Sequence, residues 1–380
     1  MDLSKHLTLG YYKVGDAIHT SKISALIDGT TKNIHPEWVF NNTVFDTVDW
    51  TVEPSESLSQ LYFQRAKQIR ETYDYVALMF SGGADSTNIL NTFINNNLRI
   101  DEIIVSWPQG LKNTYKPNQD DFSWTNMLSE WDFVIEPKLK WLATYHPEIK
   151  ITVHDWVAPA LQYKIQDDYM LSRSSNFTPF ASAKWDYNGT SWFGRVRDKV
   201  DKFVLVLGTD KPRICFQQNA YRLFFLDLAC GSSGPQTTSD FFHDNLQVEL
   251  FYWSPSCTKM LAKQAHELVK FFEVSPQFKT FITWPQKNPR YRQWYETSVR
   301  PIIYPDVDLS FFQADKAPEL TLSWDKLLYR VGLDKDIIGM TDANFNYLRK
   351  IIDSKYFTTT PVGTPSIIGF ITGMWPVKYM

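Results

Sequence analysis

The sequence predicts an α/β fold in which helices cover both faces of a parallel sheet. From residue 75 onward, short apolar runs alternate with segments whose apolar residues recur at helical spacing. Strands that follow one another through helices pair in parallel and bury both faces. A hydrophobic fraction of 43% provides enough apolar residues for such a core, so we expect most of the chain to be ordered.

The expected strands of this sheet are the apolar runs at residues 75–80, 102–107, 149–154 and 203–207. Helices are expected between them, over residues 86–97, 123–145 and 191–200. Beyond them we expect a hairpin of residues 213–217 and 221–228, a strand at 248–253 and a helix from 256 to about 272. Before the sheet we expect a hairpin at 11–18, a short helix over 21–27 that ends at Asp28 and Gly29, and a helix that opens at Pro54 with Ser55 or Ser57 as its cap.

The first expected strand runs directly into a glycine turn that opens a helix. The polar and glycine residues of this turn are Ser81, Gly82, Gly83, Asp85, Ser86 and Thr87. Adjacent glycines allow positive φ and close approach to a ligand, and the N–H groups of a helix start favour an anion such as phosphate. An aspartate beside an anion indicates a bridging cation, for which Mg²⁺ on a polyphosphate is the natural choice. The alternative is that Asp85 and Ser86 only cap the helix.

This turn is neither a Walker loop nor a dinucleotide fingerprint. The string Ser-Gly-Gly-Ala-Asp-Ser resembles the pyrophosphate loop (PP-loop) of the ATP pyrophosphatase superfamily, and looks closest to the synthetase domain of asparagine-synthetase-like proteins. The resemblance is strong over residues 75–107 and plausible to about 253. It implies an adenine nucleotide alpha hydrolase-like (HUP) fold that binds ATP with Mg²⁺ and forms AMP and pyrophosphate.

A second loop follows the strand at 203–207 and reads Gly-Thr-Asp-Lys-Pro-Arg from Gly208. The sheet order should place it at the same edge as the glycine turn. Lys211 and Arg213 could then grip the β and γ phosphates, with Lys211 stabilising charge as pyrophosphate leaves. Asp210 could share Mg²⁺ with Asp85, which we group with Lys211 as the catalytic candidates. The alternative is a surface turn with solvated charges.

Other candidate contacts depend on the resemblance. It implies that adenine lies near Ser106 and Trp107, although Trp107 could equally be a core residue. It also places an acceptor-substrate loop in the polar stretch that contains Arg173, Ser174, Ser175, Lys184, Trp185, Trp192, Arg195 and Arg197. Late in the chain, charge and aromatic residues mix at 300–305 and 311–316, and Lys316 could reach the site.

We divide the chain into an N-terminal accessory segment (1–70), a PP-loop ATP-binding domain (71–255) and a mostly helical C-terminal region packed on the sheet (256–380). Glutamine-dependent asparagine synthetases carry a cysteine directly after the initiator methionine, whereas this sequence has Asp2. We therefore expect no glutaminase. The expected activity is a ligase that adenylates a carboxylate, amide or carbonyl of a small-molecule acceptor, which an amine-type nucleophile then captures.

Two alternatives remain open: a base- or tRNA-modifying enzyme of the same superfamily, and a nucleotide-binding protein without catalysis. A net charge of −3 gives no signal for nucleic acid but leaves it open. An aromatic fraction of 16% suits either a large core or a surface on which bases stack. Cys215, Cys230 and Cys257 have no metal or disulfide spacing. With no apolar run that could span a membrane, we expect a cytoplasmic protein that could form a homo-oligomer.

Overall fold

The computed structural model describes residues 9–107, 131–155, 200–208, 211–227, 246–285, 291–307, 346–359 and 365–380. Its strands, numbered along the chain, are β1 (Tyr11–Val14), β2 (Ala17–His19), β3 (Glu37–Val39), β4 (Tyr75–Met79), β5 (Glu102–Ser106), β6 (Lys150–His154), β7 (Phe203–Leu207), β8 (Arg213–Gln217), β9 (Ala220–Phe224), β10 (Leu246–Leu250), β11 (Phe357–Thr359), β12 (Pro365–Ile367) and β13 (Trp375–Tyr379). Its α-helices are α1 (Lys22–Lys32), α2 (Asn42–Phe45), α3 (Leu58–Thr72), α4 (Ala84–Asn95), α5 (Glu136–Tyr145), α6 (Thr258–Glu273), α7 (Pro276–Phe281) and α8 (Tyr291–Ile303). A π-helical turn, Trp131–Ile135, leads into α5, and residues 346–351 are also helical.

Five parallel strands form the central sheet in the order β10-β7-β4-β5-β6. This confirms the predicted α/β class and the parallel sheet. All five residues of β7 are buried, as expected of a strand covered on both faces. Helices α3 and α4 pack against β4.

The predicted strand at 248–253 is in fact β10, which ends at Leu250, because the apolar run from Phe251 to Trp253 leaves the sheet and enters the core.

The strand order reverses between β4 and β7. From β4 the chain moves outward to β5 and then β6, and it returns on the other side of β4 as β7. Leu78 of β4 lies opposite Val206 of β7 in parallel register, so the carboxyl ends of both strands meet at one edge. Ligands of open α/β sheets bind in the crevice at such a reversal. The loops that follow β4 and β7 therefore lie where a ligand site is expected.

Two helix boundaries before the sheet differ from the prediction. Helix α1 continues past Gly29 to Lys32, and the chain then turns back through Asn33 at φ 54°. A Cβ at Gly29 would lie 2.6 Å from the carbonyl oxygen of Ile34, so this glycine accommodates the returning chain and does not end the helix. Helix α3 begins at Leu58, not at Pro54, because Ser57 and the third helical residue form a capping box there.

In the described part of the chain, three antiparallel sheets accompany the central one: β2-β1-β3, β13-β9-β8 and the two-stranded β11-β12. The predicted hairpin at 11–18 is β1-β2, and β3 joins it on the far side of β1. The predicted hairpin after residue 213 is β8-β9, and its turn residues Gln218 and Asn219 have φ values of 52° and 55°. Strand β13, near the C-terminus, pairs with β9. The sequence pattern predicted no strand after residue 256, yet β11, β12 and β13 all lie in that region.

Aromatic residues join the N-terminal segment to the rest of the fold. Phe45 stacks on Phe225 with ring centroids 5.2 Å apart, and Trp50 and Trp375 pack beside Phe45. The indole of Trp375 also donates a 2.8 Å hydrogen bond to Asp46. Much of the high aromatic content of the sequence therefore lies in a shared core. No helix among the described residues combines the length and apolarity that crossing a membrane requires.

Candidate functional site

The glycine loop after β4 is shaped by its two serine hydroxyls. The backbone N–H of Ser81 donates to Oγ of Ser86 at 3.3 Å, and Ser86 Oγ in turn donates to the carbonyl of Gly83 at 3.2 Å. Between them, Gly82 has φ +77°, a conformation that favours glycine. A Cβ at Gly82 would also lie within 3.0 Å of side-chain atoms of Val134 and Ile135. The π-helical turn therefore packs directly over this glycine.

Helix α4 presents its N-terminus to this loop without a side-chain cap. Its N-cap residue is Gly83, in an extended conformation, and Asp85 is the acidic residue of the first turn. The first N–H groups of a helix have no partner within the helix, and the helix dipole places partial positive charge there. An uncapped start on a helix of 12 residues can therefore accept an anion.

The loop after β7 approaches the start of α4 closely. A Cβ at Gly208 would lie 3.1 Å from the backbone nitrogen of Ser86 and 3.3 Å from the carbonyl carbon of Asp85. Only a residue without a side chain allows this approach at no cost. Gly208 therefore sets how near the second loop lies to the first.

The two loops meet in an ion pair between Lys211 and Asp85. The Lys211 ammonium lies 2.9 Å from Oδ1 and 3.1 Å from Oδ2 of Asp85. The lysine side chain is 2% exposed and the aspartate side chain 23% exposed. A buried ammonium requires a close counter-charge, and Asp85 supplies one while keeping a face toward solvent. The structure thus brings together the two residues that the sequence analysis named as catalytic candidates.

Two buried tyrosines donate hydrogen bonds to Asp85, one to its side chain and one to its backbone. The hydroxyl of Tyr304 donates to Asp85 Oδ1, and that of Tyr252 donates to the backbone oxygen of Asp85 at 2.9 Å. Tyr252 also accepts a 2.9 Å hydrogen bond from Asn88, one turn along α4. Burial raises the pKa of Tyr304 well above its ordinary value, and the charge of Asp85 raises it further. Both phenols are therefore neutral hydrogen-bond donors at physiological pH.

A third tyrosine fixes the loop that carries Lys211. The Tyr295 hydroxyl donates to the carbonyl of Pro212 at 2.8 Å and accepts from the N–H of Ile214 at 2.9 Å. Tyr295 lies in α8, and Tyr304 directly follows that helix. One helix of the C-terminal region therefore contacts both loops of the site.

The sequence analysis missed all three tyrosines. The one signal was the mixture of charge and aromatic residues at 300–305, which includes Tyr304. Nothing local marks Tyr252 or Tyr295, because their role depends on partners far away in the sequence.

The structure also describes three other residues that were predicted to contact the nucleotide: Trp107, Arg213 and Thr87. Trp107 is 4% exposed and packs on Trp131 with ring centroids 5.8 Å apart, which matches the alternative of a core residue. Arg213 is buried with its guanidinium 5.1 Å from the ring centroid of Tyr295. Thr87 donates to the carbonyl of Gly82 at 3.4 Å. The adenine contact of Trp107 and the phosphate contact of Arg213 stay predictions.

Several predicted contacts fall outside the described residues. They are the side chain of Ser106, Asp210, the acceptor-loop candidates Arg173, Ser174, Ser175, Lys184, Trp185, Trp192, Arg195 and Arg197, and Lys316. The predicted helix over 191–200 also lies there as far as residue 199, as does Cys230.

The donor chemistry of the site fits a magnesium–phosphate complex. Within the described ranges, no group of three or more His, Cys, Asp or Glu side chains could enclose a metal by itself. Mg²⁺ does not require one, since it commonly binds through one or two carboxylates together with substrate phosphates and water. Asp85 could supply the carboxylate, with phosphate oxygens held by α4 and Lys211.

The two described cysteines, Cys215 and Cys257, are free thiols. Burial raises the pKa of Cys215 to about 12 and that of Cys257 to about 11. Because the thiolate is the reactive form, both thiols are weak nucleophiles at neutral pH.

No protein-family model and no curated protein sequence matches this chain. The parallel order β10-β7-β4-β5-β6 is compatible with a Rossmann-like fold. Functional assignment therefore depends on the loop motif and on the geometry at the sheet edge.

Proposed function

We propose that this chain is an ATP-dependent, AMP-forming ligase of the PP-loop type, with an adenine nucleotide alpha hydrolase-like fold. It binds ATP with Mg²⁺, transfers the adenylyl group to a small-molecule acceptor and releases pyrophosphate. An amine-type nucleophile then displaces AMP from the acceptor. The observation that supports this most is the Lys211–Asp85 pair, because it joins a pyrophosphate-loop motif to a basic loop at the reversal of strand order.

Each element of the site has a role in this proposal. The uncapped start of α4 and the Ser81 and Ser86 hydroxyls bind the phosphate oxygens through N–H and O–H donors. Asp85 holds Mg²⁺, which when bound neutralises phosphate charge. Lys211 lies beside it to stabilise the charge that grows on the departing pyrophosphate.

Adenylyl transfer makes modest demands on protein side chains. Attack on the α phosphorus needs the acceptor oxygen held in line and the leaving charge stabilised. The described residues supply the second requirement, through Lys211 and the helix start. The choice of the α–β bond for cleavage rests on the resemblance of the motif Ser-Gly-Gly-Ala-Asp-Ser to the pyrophosphate loop, which is distinct from the Walker loop.

Product analysis tests the proposal. Purified full-length protein is incubated with ATP labelled at the α phosphate, Mg²⁺, ammonium and a panel of amino and carboxylic acids, and the nucleotides are separated by chromatography. We expect AMP and pyrophosphate with at least one acceptor. Lys211→Met should abolish the product, while the matched control Lys140→Met, at an exposed site on α5, should retain it. ADP and phosphate as products, or failure of the protein to bind MgATP, would contradict the proposal.

A further inference from the structure

We infer that the Asp85–Lys211 ion pair is an internal counter-charge that Mg²⁺ and pyrophosphate displace together, so that metal and phosphate bind this site cooperatively. The inference rests on the proposed function and adds that binding of the metal and binding of the phosphate strengthen each other. Its basis is the geometry of the pair. The ammonium contacts both carboxylate oxygens, at 2.9 Å and 3.1 Å, so the metal and the phosphates each have to compete with an existing ionic contact.

A metal alone is disfavoured at this site. It would compete with Lys211 for the same carboxylate. It would also place two positive charges beside an ammonium whose side chain is 2% exposed, where water screens repulsion poorly. Wild-type protein should therefore bind a divalent cation weakly in the absence of phosphate.

Phosphate alone is disfavoured for the opposite reason. To bind Lys211, pyrophosphate would have to draw the ammonium away from Asp85 and bring several negative charges next to that carboxylate. The helix start of α4 favours the anion, but Asp85 lies in the first turn of that helix and opposes it.

Bound together, the two ligands remove each other's obstacle. The phosphates become the counter-charge of Lys211, and the metal becomes the counter-charge of Asp85. Tyr304 can keep its hydrogen bond to Oδ1 throughout, because a neutral phenol donates to a carboxylate whether or not the other oxygen binds metal. The 23% exposure of Asp85 leaves a face for the metal. Coupling of this kind is reciprocal: each ligand strengthens the other by the same factor.

The reciprocal variants of the pair make opposite predictions. Lys211→Met keeps the length of the side chain but removes the competitor for Asp85, so Mn²⁺ alone should bind about tenfold more tightly than it binds the wild type. Asp85→Asn keeps an acceptor for Tyr304 but releases Lys211, so metal-free pyrophosphate should bind about tenfold more tightly. The matched controls are Lys202→Met and Asp74→Asn, which are exposed and precede β7 and β4 at the other end of the same strands.

The experiment consists of single-ligand titrations of the full chain. Free Mn²⁺ is counted by electron paramagnetic resonance without phosphate, and pyrophosphate is titrated calorimetrically with a chelator present. Circular dichroism melting confirms that each variant is folded. Each variant leaves one charge of the pair without its counter-charge, so if one of the two fails to fold, the folded one decides alone. Gains confined to the two site variants support the inference.

The failure of the inference can be separated from failure of the proposed function. If wild-type protein binds MgATP but a folded site variant shows unchanged or weaker affinity for its single ligand, the ion pair is not a counter-charge and the inference is overturned. If wild-type protein binds neither MgATP nor magnesium pyrophosphate, the proposed function is overturned and the inference with it.

Discussion

Tyr304 donates a hydrogen bond to Asp85 from a position 219 residues further along the chain. Asp85 opens α4 directly after the glycine loop, whereas Tyr304 follows α8 in the C-terminal region. Since Tyr295 of the same helix binds the loop of Lys211, α8 supports both halves of the candidate site. The C-terminal region therefore takes part in building the site as well as in packing on the sheet.

Replacing Tyr304 by Phe should weaken MgATP binding about tenfold or more, because Asp85 loses one hydrogen bond to a charged group, worth about 1.5 kcal/mol net at the least. Isothermal titration calorimetry measures the change. Tyr73→Phe is the matched control, since Tyr73 also donates to a carboxylate, Glu249 at 2.9 Å, and precedes β4, whereas the glycine loop follows that strand. Equal affinities for the two variants would show that Tyr304 has no specific role in holding Asp85.

Replacing Gly208 by Ala should destabilise the fold by about 1–3 kcal/mol, since a methyl group would press on backbone atoms of Ser86 and Asp85 that cannot rotate away. It should also weaken nucleotide binding by separating the two loops. Urea unfolding measures the first effect. Gly373→Ala is the control, because a Cβ there would meet nothing within 4 Å. A Gly208→Ala protein as stable as this control would show that the loops do not need their close approach.

Local sequence pattern predicted the sheet well, for a physical reason. A buried parallel strand must be apolar along its whole length, and the glycine turn and helix start that follow have their own signatures. The strand Phe203–Leu207 was therefore predicted with its observed bounds. The pattern failed at 251–253, where the residues are buried but do not belong to a strand. It also failed at Gly29, which allows a close contact with the returning chain and does not end the helix.

The partners of the site could be predicted only through topology. That Lys211 lies near Asp85 follows from the strand order, which places the ends of β4 and β7 side by side. No such rule predicts Tyr304 or Tyr252, whose hydroxyls reach Asp85 from elements distant in sequence. A buried tyrosine that binds a carboxylate has the same local sequence signal as one that only packs.

Removing one partner of a buried ion pair outside the site should cost more stability than removing one partner of an exposed pair on the same helix. Lys22 of α1 lies 2.6 Å from Asp227, just beyond β9, and both side chains are at most 5% exposed. Lys22→Met would leave a buried carboxylate with Tyr12 as a neutral donor, and should cost about 3–5 kcal/mol. Lys32→Met, which removes a half-exposed partner of Asp28, should change stability by about 0.5 kcal/mol or less. Chemical denaturation measures the free energy of unfolding of both variants. Similar losses in Lys22→Met and Lys32→Met would contradict the expected difference between the buried and the exposed ion pair.

Acid should remove a contact between the N-terminal segment and α6. Glu53 lies 2.5 Å from the ammonium of Lys263 and 2.6 Å from that of Lys270. Burial raises the pKa of Glu53, but the hydrogen bonds from these lysines outweigh it and lower the pKa from 4.5 to about 2.

Because the pKa of Glu53 is depressed in the folded state, its contribution to stability is complete above pH 4.5 and disappears as the pH falls toward 2. Its side chain is 31% exposed, so we expect a contribution of only about 1 kcal/mol. Glu53→Gln should therefore be less stable than wild type by that amount at pH 7, and the difference should shrink steadily between pH 4.5 and pH 2. Urea midpoints across this range measure it. Glu71→Gln, at an exposed pair on α3, should track the wild type throughout, and a Glu53→Gln difference that stays constant with pH would rule out the ionic contribution.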